Sequence, residues 1–300
     1  MNIDDKGTRY GNTGSERRAR VEDGSRSNVT KRKRKRIAKP SRELKKVTQP
    51  RPKPVEEKTE VRLNKYISNS GVCSRREADN IIESGRVEVN GEVVKVLGYK
   101  VQLTDEVKLD GKELSLTKKV YVLLNKPKDY ITTTNDPLQR KTVMDLIQDV
   151  DADRVYPVGR LDRNTTGILI FTNDGELAQG LMHPKGNVSK IYSVELNQPI
   201  DPKHFYKIKT GIKLFDGVIK PDKIALVDKE DQRKIGVQIH SGRNRVVRRM
   251  FEALGYEVVK LDRVIYAGID KQGLAKGKWR NLTEKEVSQL KRIVRLGNFN

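Results

Sequence analysis

The chain has 300 residues, with 62 Lys and Arg against 40 Asp and Glu and a formal charge of +22. A protein this basic expects a polyanion. An anionic membrane would also suit the charge. However, the longest apolar runs, VYVLL (120–124) and ILIF (168–171), fall far short of the roughly 20 residues that a spanning helix needs. The opening MNIDDKGTRYGN lacks the apolar core of a secretion signal. One cysteine, Cys73, excludes an internal disulfide and fits a reducing cytoplasm. The three histidines, His183, His204 and His240, are too scattered to suggest a metal site. The length suggests about two domains plus tails.

Residues 1–60 carry 19 basic and 9 acidic side chains, a net +10, which leaves +12 on the remainder. KRKRKR (31–36) and PRPKP (50–54) lie in this segment among few large apolar residues. Such a composition cannot bury enough apolar surface to offset its ordering entropy, so a disordered basic tail is expected. It either adds affinity for nucleic acid by counterion release or is a solvated arm.

At residue 61 the pattern changes. Leu63, Tyr66 and Ile67 share one helix face, and Gly71 ends that helix. Ser74-Arg75-Arg76-Glu77 is a capping box for a second helix, with Ala78, Ile81 and Ile82 inward and Gly85 at its end. Val87-Glu88-Val89 runs into Asn90-Gly91, a strong hairpin signal, and Asp110-Gly111 marks a second tight turn. Arg62, Lys65, Arg75, Arg76 and Arg86 flank the helix starts and the strand entry, where they can meet phosphates or simply face solvent. RLNKYISNSGVCSRREADNIIESGRVEVNG resembles the S4 RNA-binding domain, over roughly 61–108. That resemblance implies binding of structured RNA through the helix pair, in a unit taken as 61–115.

Residues 118–295 read as a larger α+β domain. Strands are predicted at 120–125, 167–171, 191–196, 224–227 and 234–239. Helices are predicted at 143–149, 176–182, 202–211, 243–255 and 284–294. The order lacks a regular βαβ rhythm, which points to a mixed, largely antiparallel sheet. In the helix at 243–255, Val246, Val247, Met250, Phe251 and Leu254 form an apolar stripe, and Arg243, Arg245, Arg248 and Arg249 cover much of the rest. So many guanidinium groups on a packed helix face carboxylates, phosphates or open solvent.

No GxxxxGK[ST], GxGxxG or GxSxG pattern is present, which disfavours NTPase, dinucleotide and serine-hydrolase chemistry. What stands out is Asp162 in VGRLDRNTTGILIF, two residues after Arg160 and just before an apolar strand. A carboxylate there is either a satisfied turn residue or a reactive group. The neighbouring Arg favours its charged form.

Several stretches together resemble the RsuA/RluB-type pseudouridine synthase family across about 61–290. They are LNKPKDYITTTND (124–136), VGRLDRNTTGILIFTNDGELAQGLMHP (158–184), KIYSVEL (190–196), SGRNRVVRRMFEALGYEV (241–258) and KLDRVIYAGI (260–269). The resemblance implies isomerisation of uridine to pseudouridine in ribosomal RNA, 23S in preference to 16S. It implies no cofactor and no metal, and monomer as the default state. Asp162 would be the catalytic aspartate, acting at ribose C1′ as nucleophile or at C2′ as base. Tyr192 would stack on the uracil near C5, and Arg248 would pair with the aspartate. Arg160, Arg243 and Arg245 would join the RNA-binding set, and the target uridine would be flipped out of its stack.

Two positions depart from the family pattern: Asp129 stands where Gly is usual, and Val246 where Gln is common. If position 129 needs a positive φ, Asp tolerates it better than most residues. Two other readings compete. One is an aspartyl-phosphate loop, in which Asn164 replaces a needed Asp. The other is an RNA-binding assembly factor without catalysis, which does not account for Asp162, Tyr192 and Arg248 together.

Overall fold

The computed structural model describes residues 60–151 and 154–296. The expected basic tail, 1–60, lies outside them except for its last residue.

The first unit begins with β1 (Glu60–Arg62), α1 (Leu63–Asn69) and α2 (Arg75–Glu83). Ser74 caps α2 through the reciprocal box with Glu77. There follow β2 (Val87–Val89), β3 (Glu92–Val93), β4 (Lys100–Gln102), β5 (Val107–Leu109) and β6 (Lys112–Glu113). The β2–β3 and β5–β6 hairpins turn on Asn90-Gly91 and Asp110-Gly111, all four residues having positive φ. One core holds this unit together, running from Leu63, Tyr66 and Ile67 through Ala78 and Ile82 to Leu114. Ile81 only packs against its edge.

The second unit is built on a nine-stranded sheet. Its strands are β7 (Tyr121–Lys126), β8 (Tyr156–Pro157), β9 (Thr166–Thr172), β10 (Lys190–Leu196), β13 (Lys223–Leu226), β14 (Lys234–Ile239), β15 (Val258–Tyr266), β16 (Ile269–Asp270) and β17 (Trp279–Asn281). Helices α3 (Gly175–Met182), α4 (Pro202–Thr210), α5 (Val246–Glu252) and α6 (Glu284–Leu296) and the separate hairpin β11 (Ile212–Leu214)–β12 (Gly217–Ile219) complete it. The main path is β13-β14-β10-β15-β9-β7-β17. Every pair is antiparallel except β15–β9, so the sheet is mixed and largely antiparallel, as expected.

Strand β9 is buried along its whole length. It separates two cores, one with α3 and α6 and one with Val143, Ile147 and Leu161. A third core packs α4, α5 and the β11–β12 hairpin onto β10 and β14. Two predicted helices change. The segment 143–149 forms only a 3-10 turn, Val143–Leu146, boxed by Thr142 and Asp145. The helix predicted at 243–255 starts at Val246, because Arg245 adopts the left-handed conformation at φ 46 and breaks the helix there.

Strand β15 has no counterpart among the predicted strands. Its apolar residues do not alternate, because two register shifts against β10 interrupt the period of two. The parallel join of β15 to β9 depends on Gly167. Its φ is 108, and a Cβ there would lie 2.3 Å from the Arg263 carbonyl oxygen and 2.6 Å from the Arg263 nitrogen. Gly167→Ala should therefore lower stability in urea unfolding by about 3 kcal/mol or more. Gly111→Ala, at φ 76 with nothing within 4 Å, should lose only about 1–2 kcal/mol. Equal losses would show that the close approach of the two strands does not matter.

Candidate active site

Asp162 sits on the loop that enters β9, half-buried, at the edge of a cleft of about 530 Å³. The loop backbone is fixed residue by residue. The Thr132 hydroxyl donates to the Leu161 carbonyl at 2.8 Å and accepts from the Leu161 N–H at 3.2 Å. The Thr165 N–H donates to the Asp162 carbonyl at 3.0 Å, and the Asp129 N–H to the Arg163 carbonyl at 3.0 Å. Arg248 donates to the Asn164 carbonyl at 3.0 Å.

The strongest anchor is Lys126, the last residue of β7. Its side chain is fully buried, and its ammonium donates to the carbonyls of Pro127, Asp162, Arg163 and Thr165 at 2.9–3.2 Å. Burial pushes its pKa down to about 8, while the charges of Asp162 and Asp129 oppose that fall. Every carbonyl from Leu161 to Thr165 thus has a donor, so the Asp162 side chain projects from a backbone with little freedom.

Asp129 adopts φ 69 and pairs with Arg163 at 3.3 Å. This is the positive φ for which the usual glycine would be suited. Asp keeps the turn because its short polar side chain tolerates that region.

Tyr192 comes from β10, and it packs against two of the three cores of this unit. It lines the same cleft as Asp162. The cleft carries five cations, Arg160, Lys190, Arg243, Arg245 and Arg263, against the single carboxylate of Asp162. Lys190 lies two residues before Tyr192 and so shares its strand face. Its ammonium donates to the carbonyls of His240 at 2.8 Å and Val188 at 3.2 Å. Burial lowers its pKa to about 8, helped by the nearby Arg263. Arg263 is buried, donates twice to the Ile168 carbonyl (2.8 and 2.6 Å), and lies 4.5 Å over the Tyr266 ring.

Arg248 is placed differently from the sequence expectation. It is buried, and it donates to the carbonyls of Val258 at 2.7 Å and Asn164 at 3.0 Å. No ion pair joins it to Asp162 among the described residues, although the Asp162 charge opposes the lowering of its pKa by burial. The guanidinium fork spans the loop and the start of β15, so it braces the Asp162 backbone instead of contacting the carboxylate.

The arginines assigned to RNA contact divide in the same way. Arg160, Arg243 and Arg245 are exposed at the cleft, although Arg245 also reaches Glu252 at 3.2 Å. Arg62, Arg75 and Arg76 are exposed on the first unit, and Arg75 lines a groove of about 1010 Å³ between the two units. Lys65 instead forms an ion pair with Glu176 on α3, which ties the units together, and Arg86 is held bidentately by Asp110.

Lys126, Lys190 and Arg263 lie within the family-like stretches, but no local pattern assigns them a role. Lys126 is the lone cation of the apolar strand β7, a signal that could have singled it out, whereas Lys190 and Arg263 lie in strands of mixed character. Lys126→Met removes the donor shared by four carbonyls. It should lower unfolding stability by at least about 3 kcal/mol, read from urea titration. An unchanged midpoint would contradict the anchoring role.

Comparison with known proteins fits this geometry. Residues 120–253 match the profile of the RNA pseudouridylate synthase family, and residues 61–107 match the S4 domain. The ribosomal large subunit pseudouridine synthase B of Bacillus subtilis is 44% identical over 237 residues, covering 78% of this chain and 96% of that protein. The dual-specificity RNA pseudouridine synthase RluF of Escherichia coli is 36% identical over 237 residues, covering 78% of this chain and 79% of that protein. A crystallised pseudouridylate synthase superposes with a TM-score of 0.56 at 29% identity, over 77% of this chain and 99% of the other. A polyanion-sized charge, a helix-pair module and a single clamped carboxylate in a basic cleft therefore belong together: the chain is a member of the RsuA/RluB-type pseudouridine synthase family, with an S4 domain ahead of its catalytic domain.

Proposed function

We propose that this enzyme converts a uridine of ribosomal RNA to pseudouridine in the Asp162 cleft, on 23S RNA in preference to 16S. The observation that carries the reading is the clamped loop, which presents Asp162 into the cleft that Tyr192 also lines. The relative from Bacillus subtilis is named for the large ribosomal subunit, which supports the 23S preference. In this reading the protein works as a monomer in the cytoplasm, on free ribosomal RNA or on an assembling subunit.

The chemistry needs no net redox change. The C1′–N1 bond breaks and its electron pair leaves with the uracil. Asp162 acts at the ribose, by bonding to C1′ or by taking the C2′ proton. The uracil turns and C5 bonds to C1′, displacing the Asp162 carboxylate in the first case or with the proton returned to C2′ in the second. The C5 proton is then lost to solvent and N1 takes one up, so the product is an isomer of the substrate. Tyr192 holds the base flat and lies near C5. Arg248 is a positioning residue that acts through the loop. The cationic rim binds phosphates and so orients the RNA without reading its sequence. A base buried in a helix cannot reach Asp162, so the target nucleotide is extruded into the cleft.

Loss of the C5 hydrogen gives a direct assay, tritium release from transcripts of both ribosomal RNAs labelled at uridine C5. Asp162→Asn should cut release by at least about a thousandfold and leave RNA affinity within about twofold. Substantial residual release would remove Asp162 from the chemistry. Deleting residues 1–60, which carry a net +10, should weaken RNA binding and flatten its salt dependence. An unchanged slope would make that segment a bystander.

A further inference from the structure

Phe215 stands at the apex of the β11–β12 hairpin with 90% of its surface exposed. Five Phe occur in the 300-residue chain, and this one is almost fully in water. It cannot fold inward. Ile212, Leu214 and Ile219 already fill the inner side of the hairpin, in the same core as Val247 and Phe251 of α5. The turn is tight, Leu214 pairing with Gly217, whose φ is 111.

The ring is backed by charge. The Arg249 guanidinium carbon lies 4.7 Å from its centroid. Asp216, next to Phe215, holds Arg249 at 2.9 Å and Arg243 at 3.8 Å. Arg243 also donates to the Val218 carbonyl at 3.4 Å. Arg243 lines the Asp162 cleft, so one side chain links the hairpin to the rim of the site. The hairpin and the helix before it add further exposed cations. Lys213 on β11 and Lys220 just after β12 are exposed, and the preceding helix α4 exposes Tyr206, at 66%, with Lys207 and Lys209.

We propose that the β11–β12 hairpin is an RNA-contacting element in which an unpaired base near the target nucleotide stacks on the exposed face of Phe215. The proposal rests on the RNA-modifying reading above and specifies a surface outside the reaction centre. An exposed ring with cationic neighbours is the arrangement that recognises splayed bases. A stacked duplex offers no free base face, so the contact selects unpaired RNA. Arg249 stacked behind the ring fixes its orientation, which reduces the ordering cost when a base arrives.

The test uses the full chain, a fluorescein-labelled 12-nucleotide single-stranded RNA and the matching 12-base-pair duplex. Phe215→Ala should weaken single-strand binding at least about fivefold, the lower end of what one stacked base contributes. Duplex binding should stay within about twofold, and Phe215→Trp should bind the single strand at least as well as wild type. Because the ring is 90% exposed, the fold should be unaffected, which circular dichroism checks. Wild-type affinity in Phe215→Ala would overturn the proposal, as would a wild type that ignores the single strand. Full retention by Phe215→Leu would also overturn it, because that points to an apolar protein contact. Wild-type tritium release separates the two readings. Release with unaltered Phe215→Ala binding defeats the stacking proposal alone. No release from either ribosomal RNA defeats the isomerase assignment, whatever the binding result.

Discussion

The Lys126 ammonium and the carbonyls around it are the interaction on which the site depends. Burying an ammonium group costs several kcal/mol unless its surroundings replace water. Here the replacement is four backbone carbonyls, three of them from the loop that carries Asp162. The cation and the loop specify each other. Without the loop the charge keeps only the Pro127 carbonyl, and without the charge the Arg163 and Asp162 carbonyls lose a donor and the Thr165 carbonyl loses its own. Asp129 and Thr132, on the loop that follows Lys126, and Arg248 on α5 complete the clamp. A side chain held this way needs little reorganisation when substrate arrives, and that is the property that electrostatic and nucleophilic catalysis require.

The same region joins the two halves of the sheet. The clamped loop runs directly into β9, and β9 meets β15 through the single parallel pairing that Gly167 permits. Tyr192 on β10 is placed relative to Asp162 by that join, since β10 pairs with β15 and β15 with β9. The spacing between the carboxylate and the aromatic ring is therefore a consequence of sheet register. Arg263 reinforces it from below by donating twice to the Ile168 carbonyl. Outside this frame, Arg160, Arg243 and Arg245 sit on loops, where they can follow an irregular RNA surface.

Much of this was legible in the sequence, for identifiable reasons. The small unit could be read almost residue by residue, because Ser74-Glu77, Asn90-Gly91 and Asp110-Gly111 are local devices whose geometry does not depend on distant contacts. Strands β7, β9, β10 and β14 were readable from apolar runs. Strand β15 was not, because its burial pattern answers to three neighbours and two register shifts. The site shows the same division. Asp162 and Tyr192 lie in distinctive motifs, whereas the bracing role of Arg248 depends on Val258 and Asn164, a relation no spacing encodes. Lys126 was invisible as an anchor because its four acceptors come from a segment about 36 residues away and from its own neighbour. Phe215 reads as an ordinary hairpin residue until its exposure is known.

The central claim is that the clamped Asp162 isomerises a ribosomal uridine, and it can be tested in the cell. Pseudouridines in both ribosomal RNAs would be mapped by carbodiimide labelling and primer extension, with and without the gene, and after complementation. The account predicts that deletion removes a pseudouridine from 23S RNA, that wild type restores it and that Asp162→Asn does not. An unchanged map in both RNAs, or full restoration by Asp162→Asn, would contradict it.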